Sequence, residues 1–363
     1  MNRGKTKVAV GLSGGVDSSV AAALLKENGF DVIGVSMRIF DASIPVQRSK
    51  KHTCYGPDED QDIDSAASVC KKLGIPFHVI DLKSEFKNHV IEYFRNEYLD
   101  GRTPNPCIVC NHRIKFGLLP GKAKKAGIAF DLFATGHYAR ISEFGGRFLL
   151  RRPVDLLKDQ TYFLYALTHD QLSKTLFPLG EYRKKEVRDM ARSIGLRTSS
   201  RPESQDFMGG NDYALLFRDG EIIDGDIVDE NGNVLGRHSG IINYTIGQRK
   251  GLGLSYPRPL YICKIDAERN RIIVGEKGAL FSKGFIVRVL NLIAVDELDR
   301  PYRVKVKIRL QHKEADAELL PYKNNRAEII FDEPQMSVTP GQSAVFYLDD
   351  IVLGGGIIEK ALA

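Results

Sequence analysis

The sequence predicts an α/β protein whose first part is a parallel sheet covered by helices, followed by a small, mostly β portion and a C-terminal β-barrel. From Lys5 to about Ser200, short apolar runs alternate with longer helical patterns, which is the texture of parallel strands joined by crossover helices. After Arg201 glycines become frequent, and short β-rich runs lie between turn signals. With 363 residues, 43% hydrophobic and 27% charged, the chain has room for two or three cores at roughly 100–200 residues each.

Each element has a local reason. Lys7 to Leu12 (KVAVGL) reads as a buried strand, Ser18 to Asn28 as a helix ended by Gly29, and Asp31 to Arg38 as the next strand. Asp41 to Asp60 is polar, basic and then acidic, and reads as a long loop. Asp60 to Leu73 is helical and closed by Gly74, Pro76 to Leu82 is a strand, Glu85 to Tyr98 is helical, and Asp131 to Thr135 is a further strand. In the middle portion, Leu260 to Ile265 and Arg271 to Val274 are β runs, and Glu230-Asn231-Gly232 is a turn. Tyr302 to Leu310, Arg326 to Phe331 and Ser343 to Tyr347 alternate in period two, and a closed barrel is the arrangement that removes their exposed edges. The expected boundaries are 1–205, 206–280 and 281–363.

Composition narrows the function. Lys+Arg 52 against Asp+Glu 46 gives a formal +6, a mild excess compatible with a polyanionic partner. The opening residues lack the apolar core and cleavage site of a secretory signal, and no apolar run approaches the ~18 residues of a membrane span. No membrane partner is expected. Five cysteines, an odd count in a chain this long, point to a reducing cytoplasm and to thiols that are unpaired or metal-bound rather than to a disulfide framework.

The first motif is Gly11-Leu12-Ser13-Gly14-Gly15-Val16-Asp17-Ser18-Ser19, directly after a strand and opening a helix. That geometry gathers backbone N–H groups and the positive helix end at one point, while the glycines let a phosphate approach. It lacks the Gly-Lys-Ser/Thr ending of a P-loop and the glycine spacing of a dinucleotide site, so γ-phosphate transfer and hydride chemistry lose ground. SGGVDSS resembles the loop of the ATP pyrophosphatases, which adenylate a substrate oxygen and release pyrophosphate. On that resemblance Ser13 to Ser18 would hold the departing phosphates and Asp17 would help place Mg²⁺.

The second motif is Thr103-Pro104-Asn105-Pro106-Cys107-Ile108-Val109-Cys110-Asn111. Two prolines predict an extended loop, and Cys-x-x-Cys brings two sulfurs close enough to share a metal or exchange electrons, with two adjacent core thiols as the alternative. His112, Arg113 and Lys115 follow, which predicts a depressed thiol pKa. Cys70, on the apolar face of a helix, and Cys263, alternating into a strand, read as packing thiols. Arg303, Lys305, Lys307 and Arg309 read as one face of a strand, either a solvated face or an RNA phosphate stripe.

With both motifs in hand, the chain resembles the tRNA-specific 2-thiouridylase family nearly end to end. Further matches are Thr135-Gly136-His137-Tyr138, Lys158 to Leu164 (KDQTYFL), Tyr244 to Gly253 (YTIGQRKGLG), Thr339 to Tyr347 (TPGQSAVFY) and Gly354 to Gly356. The resemblance implies an ATP pyrophosphatase (PP-loop, adenine nucleotide alpha hydrolase-like) first domain and ATP-dependent 2-thiolation of the wobble uridine of tRNA. ATP contacts fall on Gly11, Leu12, Ser13, Gly14, Gly15, Val16, Asp17, Ser18, Met37 and Gly136. Catalytic roles fall on Cys110, Cys107 and Asp17. Asn105, Pro106 and Cys107 would line the flipped base. His137, Lys158, Asp159, Gln160, Arg309, Leu310 and Gln342 would contact the tRNA anticodon stem-loop, and Gly247 to Gly253 would form a basic turn in the middle domain. Sulfur would come from a donor protein or sulfide.

One departure stands out. The family's second catalytic cysteine follows the ATP domain, but this chain reads Glu203-Ser204-Gln205-Asp206-Phe207-Met208-Gly209-Gly210, which puts Met208 there. A thioether has no ionisable S–H and cannot join a disulfide. The position commonly Asp in the family is Cys107 here, and Cys54 adds a third thiol. Cys54, Cys107 and Cys110 could therefore hold a 4Fe-4S cluster with one open iron, so that sulfur is carried either as sulfide on that iron or as a persulfide on Cys110; Cys54 as a plain loop thiol and a zinc site on the same thiols are the alternatives. Two rival functions also stand: another PP-loop tRNA-modifying or amide-forming ligase, such as a tRNA lysidine synthase, or an inactive tRNA-binding homologue.

Overall fold

The computed structural model describes residues 5–44, 46, 53–196, 207–208 and 212–362. The expected boundary between 205 and 206 lies outside the described residues, as do Glu203 to Asp206, Gly209 and Gly210. The chain forms two compact units. The first comprises Met1–Val90, Cys107–Tyr213 and Asp350–Val352, and the second Ile91–Pro106, Ala214–Asp349 and Leu353–Ala363.

The first unit carries the predicted parallel sheet. Its strand order is Phe77–Asp81, Asp31–Arg38, Lys7–Gly11, Leu132–Thr135 and Thr175–Leu176. Val8, Ala9 and Val10 have no exposure, as expected for a strand flanked on both sides and covered on both faces. The chain runs outward from Lys7–Gly11 in one direction through its second and third strands, then returns to the other side with Leu132–Thr135. The order therefore reverses between Lys7–Gly11 and Leu132–Thr135, where Gly11 lies beside Thr135. The crevice at the carboxyl ends of such a strand pair is the binding position of open α/β sheets.

The helix Val16–Glu27 is rich in alanine and leucine and ends at Asn28 and Gly29. One side packs Ala22 and Leu25 against Val8 and Val10 of the sheet and Cys70 of the helix Glu59–Leu73. Its other side packs Val16, Val20 and Ala21 against Val187 and Ala191 of the helix Lys184–Ser193. Cys70 is buried as expected of a packing thiol, and burial pushes its pKa up to about 12.

In the second unit the helix Glu92–Leu99 places Tyr98 and Leu99 against a core of Ile227, Ile262, Ile272 and Val274. That core belongs to a sheet ordered Tyr261–Asp266, Arg271–Gly275, Gly225–Val228, Val234–His238. The C-terminal portion is the predicted closed barrel, with six strands beginning at Phe281–Leu292. Closure comes from that first strand, which pairs with both Arg326–Met336 and the last strand, Ile351–Leu362. Phe285, Val306, Leu319, Ile329, Phe346 and Ile358 fill its interior.

The expected basic stripe changes character. The strand is Tyr302–Lys307, so Arg309 lies beyond its end. Arg303 pairs with Asp332 at 2.5 Å and Lys305 with Asp316 at 2.9 Å, neutralising half of the series.

Candidate active site

The glycine-rich loop sits at the strand-order reversal. Leu12 N–H donates to the Val35 carbonyl (2.8 Å), and the buried Ser36 hydroxyl donates to the Leu12 carbonyl (2.7 Å), tying the loop's start to the next strand. Gly14 has φ +69°, a conformation that a side chain would strain. Gly15 is the N-cap of the helix and supplies no side-chain cap, so the first helical N–H groups are left to other acceptors. The loop is held from within by its serines. Ser13 N–H donates to Ser18 Oγ (3.2 Å), and Ser18 and Ser19 hydroxyls both donate to the Gly15 carbonyl (3.3 and 2.7 Å).

Gly136 closes the cradle from the neighbouring strand. A Cβ there would lie 2.5 Å from the Ser18 nitrogen and 2.6 Å from the Asp17 carbonyl carbon, so only glycine lets the two segments meet. Met37 is half-buried on the strand Asp31–Arg38, opposite Ile80. The cradle is an uncapped helix end with no side chain at its closest approach, and this fits a polyphosphate.

Asp17 is already engaged. Both its oxygens accept from Lys184 Nζ (2.7 and 2.8 Å), and Oδ1 also accepts from the Tyr138 hydroxyl (3.0 Å). A carboxylate paired in this way does not fit direct Mg²⁺ ligation, because the metal would have to displace a buried ammonium. Neither Lys184 nor Tyr138 stood out from sequence as a site residue. Tyr138 is framed by Gln160, whose Oε1 accepts its N–H (2.8 Å) and whose own N–H donates to its carbonyl (3.1 Å). Asp159 Oδ1 accepts from the Thr161 N–H and hydroxyl (2.9 and 2.6 Å), and Lys158 ends the short 3₁₀ turn Leu156–Lys158, half-buried. His137 packs its ring against Phe116 and Phe177, with Nδ1 2.7 Å from the Thr135 hydroxyl. Burial, with Lys115 nearby, holds its pKa well below the usual histidine value, so it is neutral at pH 7.

The cysteine motif departs from expectation in two ways. It is helical rather than an extended loop. Pro106–Val109 forms an α-helical turn, and Cys110–Leu118 continues as a π-helical stretch. A proline at the first helical position removes an N–H that would have had no partner there, so Pro106 starts the helix instead of preventing it. Second, the Cys110 pKa is raised to about 11, not depressed. Desolvation is the main cause, the Lys115 charge offsets it only in part, and Cys54 adds to the rise. Lys115 Nζ donates to Asn111 Oδ1 (2.9 Å), and Asn111 Nδ2 to the Phe163 carbonyl (3.1 Å), so that network serves the helix. The π-helical start at Cys110 is a local distortion of the kind common at functional sites, and no sequence signal marks it.

Cys54 is exposed and Cys107 half-buried, and none of the five cysteines is in a disulfide. The loop of Cys54 is anchored where Tyr55 N–H donates to the Phe207 carbonyl (3.0 Å), and the Tyr55, Phe86 and Phe207 rings stack at 5.3 to 6.2 Å. Cys54 and Met208 thus flank the same backbone tie, and Met208 is 1% exposed. Among the described residues, no three His, Cys, Asp or Glu side chains stand close enough to hold a single metal ion, which goes against the zinc alternative and equally gives the expected cluster on Cys54, Cys107 and Cys110 no preformed site.

In the second unit, the loop before the cysteines is held by the barrel turn Thr339 to Gln342. Gln342 Nε2 donates to the Thr103 and Pro104 carbonyls (3.0 and 3.1 Å), and Thr103 N–H donates to the Pro340 carbonyl (2.9 Å). Asn105 N–H donates to the Tyr93 hydroxyl (3.3 Å). Arg102 pairs with Glu97 through two bonds (2.8 and 2.9 Å), and Arg288 reaches the same carboxylate at 3.0 Å. Arg309 is half-buried and Leu310 exposed, in the turn after Tyr302–Lys307.

Comparison with known proteins agrees along the chain. Residues 6–208 match the family described as tRNA methyl transferase HUP domain, 216–276 the tRNA methyl transferase PRC-barrel domain, and 282–358 the aminomethyltransferase beta-barrel domain. The tRNA-specific 2-thiouridylase MnmA of Acetivibrio thermocellus is 47% identical over 362 residues, spanning 98% of this chain and 99% of that protein. The protein of the same name from Clostridium botulinum (strain Alaska E43 / Type E3) is 46% identical over 367 residues, spanning 100% of both. Among solved structures, a 4-thiouridine synthetase in complex with RNA and bound ATP aligns only remotely, with TM-score 0.34 and 18% identity over 55% of this chain and 44% of that one. With a glycine-rich helix start at the sheet's switch point, a matched family on each portion and relatives aligned from end to end, the chain belongs to the tRNA-specific 2-thiouridylase family.

Proposed function

We propose that this chain is a tRNA-uridine 2-sulfurtransferase acting on the wobble uridine. The observation that carries the reading is the uncapped, glycine-lined helix start at Gly15, which accepts a polyphosphate, in a chain whose full-length relatives bear the 2-thiouridylase name. ATP binds Gly11 to Ser18 with Met37 and Gly136, and the 2-oxo oxygen of the uridine attacks the α-phosphorus. Pyrophosphate leaves, held by the loop. Sulfur then attacks C2, the C2–oxygen bond breaks, and AMP departs with that oxygen. Asn105, Pro106 and Cys107 line the flipped base, and Cys110 serves the sulfur step.

Lys158, His137, Arg309 and Leu310 are proposed tRNA contacts. Asp159, Gln160 and Gln342 belong to the same set but spend side-chain groups on protein backbone, so their part is to shape the contacting loops. The domain division proposed is 1–205, 206–280 and 281–363, with the family matches at 6–208, 216–276 and 282–358 in its support. Among the described residues no helix is long and apolar enough to cross a membrane. A cytoplasmic setting is proposed from five cysteines without a disulfide.

For the sulfur itself, the reading that Met208 favours is a 4Fe-4S cluster on Cys54, Cys107 and Cys110, in place of a persulfide pair. Cys107 and Cys110 stand three apart on consecutive helical turns, which share a face, and Cys54 interacts electrostatically with Cys110. By residue type the three thiols suit such a cluster, which when bound would supply an iron open to sulfide, but among the described residues they do not form a ready three-ligand group. Anaerobically purified protein is expected to contain iron and acid-labile sulfide; a colourless, metal-free and active preparation would leave as the sulfur carrier a persulfide on Cys110, loaded by a persulfide donor and released when a second thiol takes Cys110 into a disulfide. The function is tested by nucleoside mass spectrometry of tRNA after reaction with ATP and a sulfide source, delivered free or by a donor protein. The product expected is 2-thiouridine, lost in Cys110→Ala and kept in Cys70→Ala. A lysidine product or no modification would instead support an amide-forming ligase or an inactive tRNA binder.

A further inference from the structure

We propose that Lys184 is a positioning residue of the ATP loop, cancelling the charge of Asp17 so that the helix end beside it stays open to phosphate. The inference rests on the ATP-binding part of the function above. Asp17 is in the first turn of Val16–Glu27. A carboxylate there normally gains from the helix dipole, but at an anion-binding helix end it competes with the ligand.

The structure surrounds that carboxylate with compensation. Lys184 Nζ bridges both oxygens, Tyr138 donates its hydroxyl, and the ammonium lies 5.7 Å from the Tyr138 ring centroid. The Lys184 side chain is 9% exposed and that of Asp17 27%. Gln160 fixes Tyr138 through its backbone, so the acceptor, the donor and their support come from separate parts of the first unit.

Helix stability does not account for this lysine. Lys184 is the first residue of Lys184–Ser193, where the helix dipole disfavours a cation, and burying an ammonium costs solvation. Nor is it needed to join the two helices, because Val16, Val20 and Ala21 already pack on Val187 and Ala191. What the lysine supplies is a positive charge beside the phosphate cradle, and one that leaves the helical N–H groups unspent.

The test measures binding of Mg²⁺-ATP and of pyrophosphate by calorimetry on the full chain, with melting temperature followed in parallel. Lys184→Gln is expected to weaken ATP binding by about tenfold or more, about 1.4 kcal/mol. Lys184→Arg should bind nearly as the wild type does. Asp17→Asn combined with Lys184→Gln should recover most of the loss, because the charge that repels phosphate is gone. Wild-type binding in Lys184→Gln, or no recovery in the double variant, would overturn the proposal. If Lys184→Gln does not fold, Asp17→Asn alone decides: the proposal expects binding retained or tightened, whereas weaker binding with a steeper Mg²⁺ requirement would make Asp17 a metal ligand and refute it. A wild-type chain that bound neither probe would overturn the ATP-dependent function itself, a result distinct from any pattern among the variants.

Discussion

Gly136→Ala would place a methyl carbon 2.5 Å from the Ser18 nitrogen, 2.6 Å from the Asp17 carbonyl carbon and 2.9 Å from the Ser18 Cα. All three atoms are backbone, so no rotamer change relieves the overlap, and the strand end and the helix start must move apart by several tenths of an ångström or more. Overpacking of this kind costs roughly 1–3 kcal/mol. The displaced atoms are those of the phosphate cradle, so ATP binding should fall by more than the loss of stability alone explains. Calorimetric titration with Mg²⁺-ATP and a thermal melt, run on the same preparation, separate the two effects. Gly121→Ala is the control: a Cβ at Gly121 meets nothing within 4 Å, and the position lies in the helix Leu119–Lys125, where alanine should stabilise by up to about 1 kcal/mol. If Gly136→Ala binds ATP and melts as the wild type does, the close approach of these two segments is not what shapes the loop.

The remaining predictions concern the cysteines and the segment that leads to them. Because burial raises the Cys110 pKa to about 11, its alkylation should be slow at pH 7 and climb about tenfold per pH unit toward that value, while exposed Cys54 reacts readily; mass spectrometry showing equal rates at pH 7 would contradict this. The same shift makes the neutral thiol the native form, so its contribution to stability is complete below the unfolded thiol pKa and is lost as pH rises from there through about 11. Gln342→Ala removes the donor to the Thr103 and Pro104 carbonyls and should cost about 1 kcal/mol, with faster hydrogen exchange at Thr103, whose N–H is bound to Pro340; unchanged exchange would show that the turn does not hold the loop. Glu97→Gln leaves Arg102 and Arg288 without their shared carboxylate, and a loss of about 3 kcal/mol is expected by denaturant unfolding, whereas a loss under about 1 kcal/mol would mean that solvent compensates both guanidinium groups.

Much of the fold is written locally. Strands such as Lys7–Gly11 and Asp31–Arg38 are short runs rich in valine and isoleucine, and the turn from Gly11 into the helix carries a glycine pattern, so both are legible in the residues themselves. The cysteine segment was harder because proline has two local meanings. Pro104 and Pro106 together predict an extended loop, but Pro106 sits at the position where a helix tolerates proline best, and Cys107 and Cys110 are helical. The basic residues after Cys110 misled for a related reason. Lys115 is close in sequence and does attract the thiolate, but it is bound to Asn111, and desolvation is larger.

By itself, then, the sequence determined the order of the layers, the glycine-rich turn, the family motifs and the absence of a thiol at Met208, because each depends on neighbours along the chain. Tertiary structure decided what those motifs touch. Lys184 reaches Asp17 across 167 residues, Gln342 reaches Thr103 across 239, and Asp332 and Asp316 pair with Arg303 and Lys305, half of a series that alternation alone could not distinguish from an RNA track. Charge compensation and desolvation are properties of the space around a group, and only the folded chain determines what fills that space.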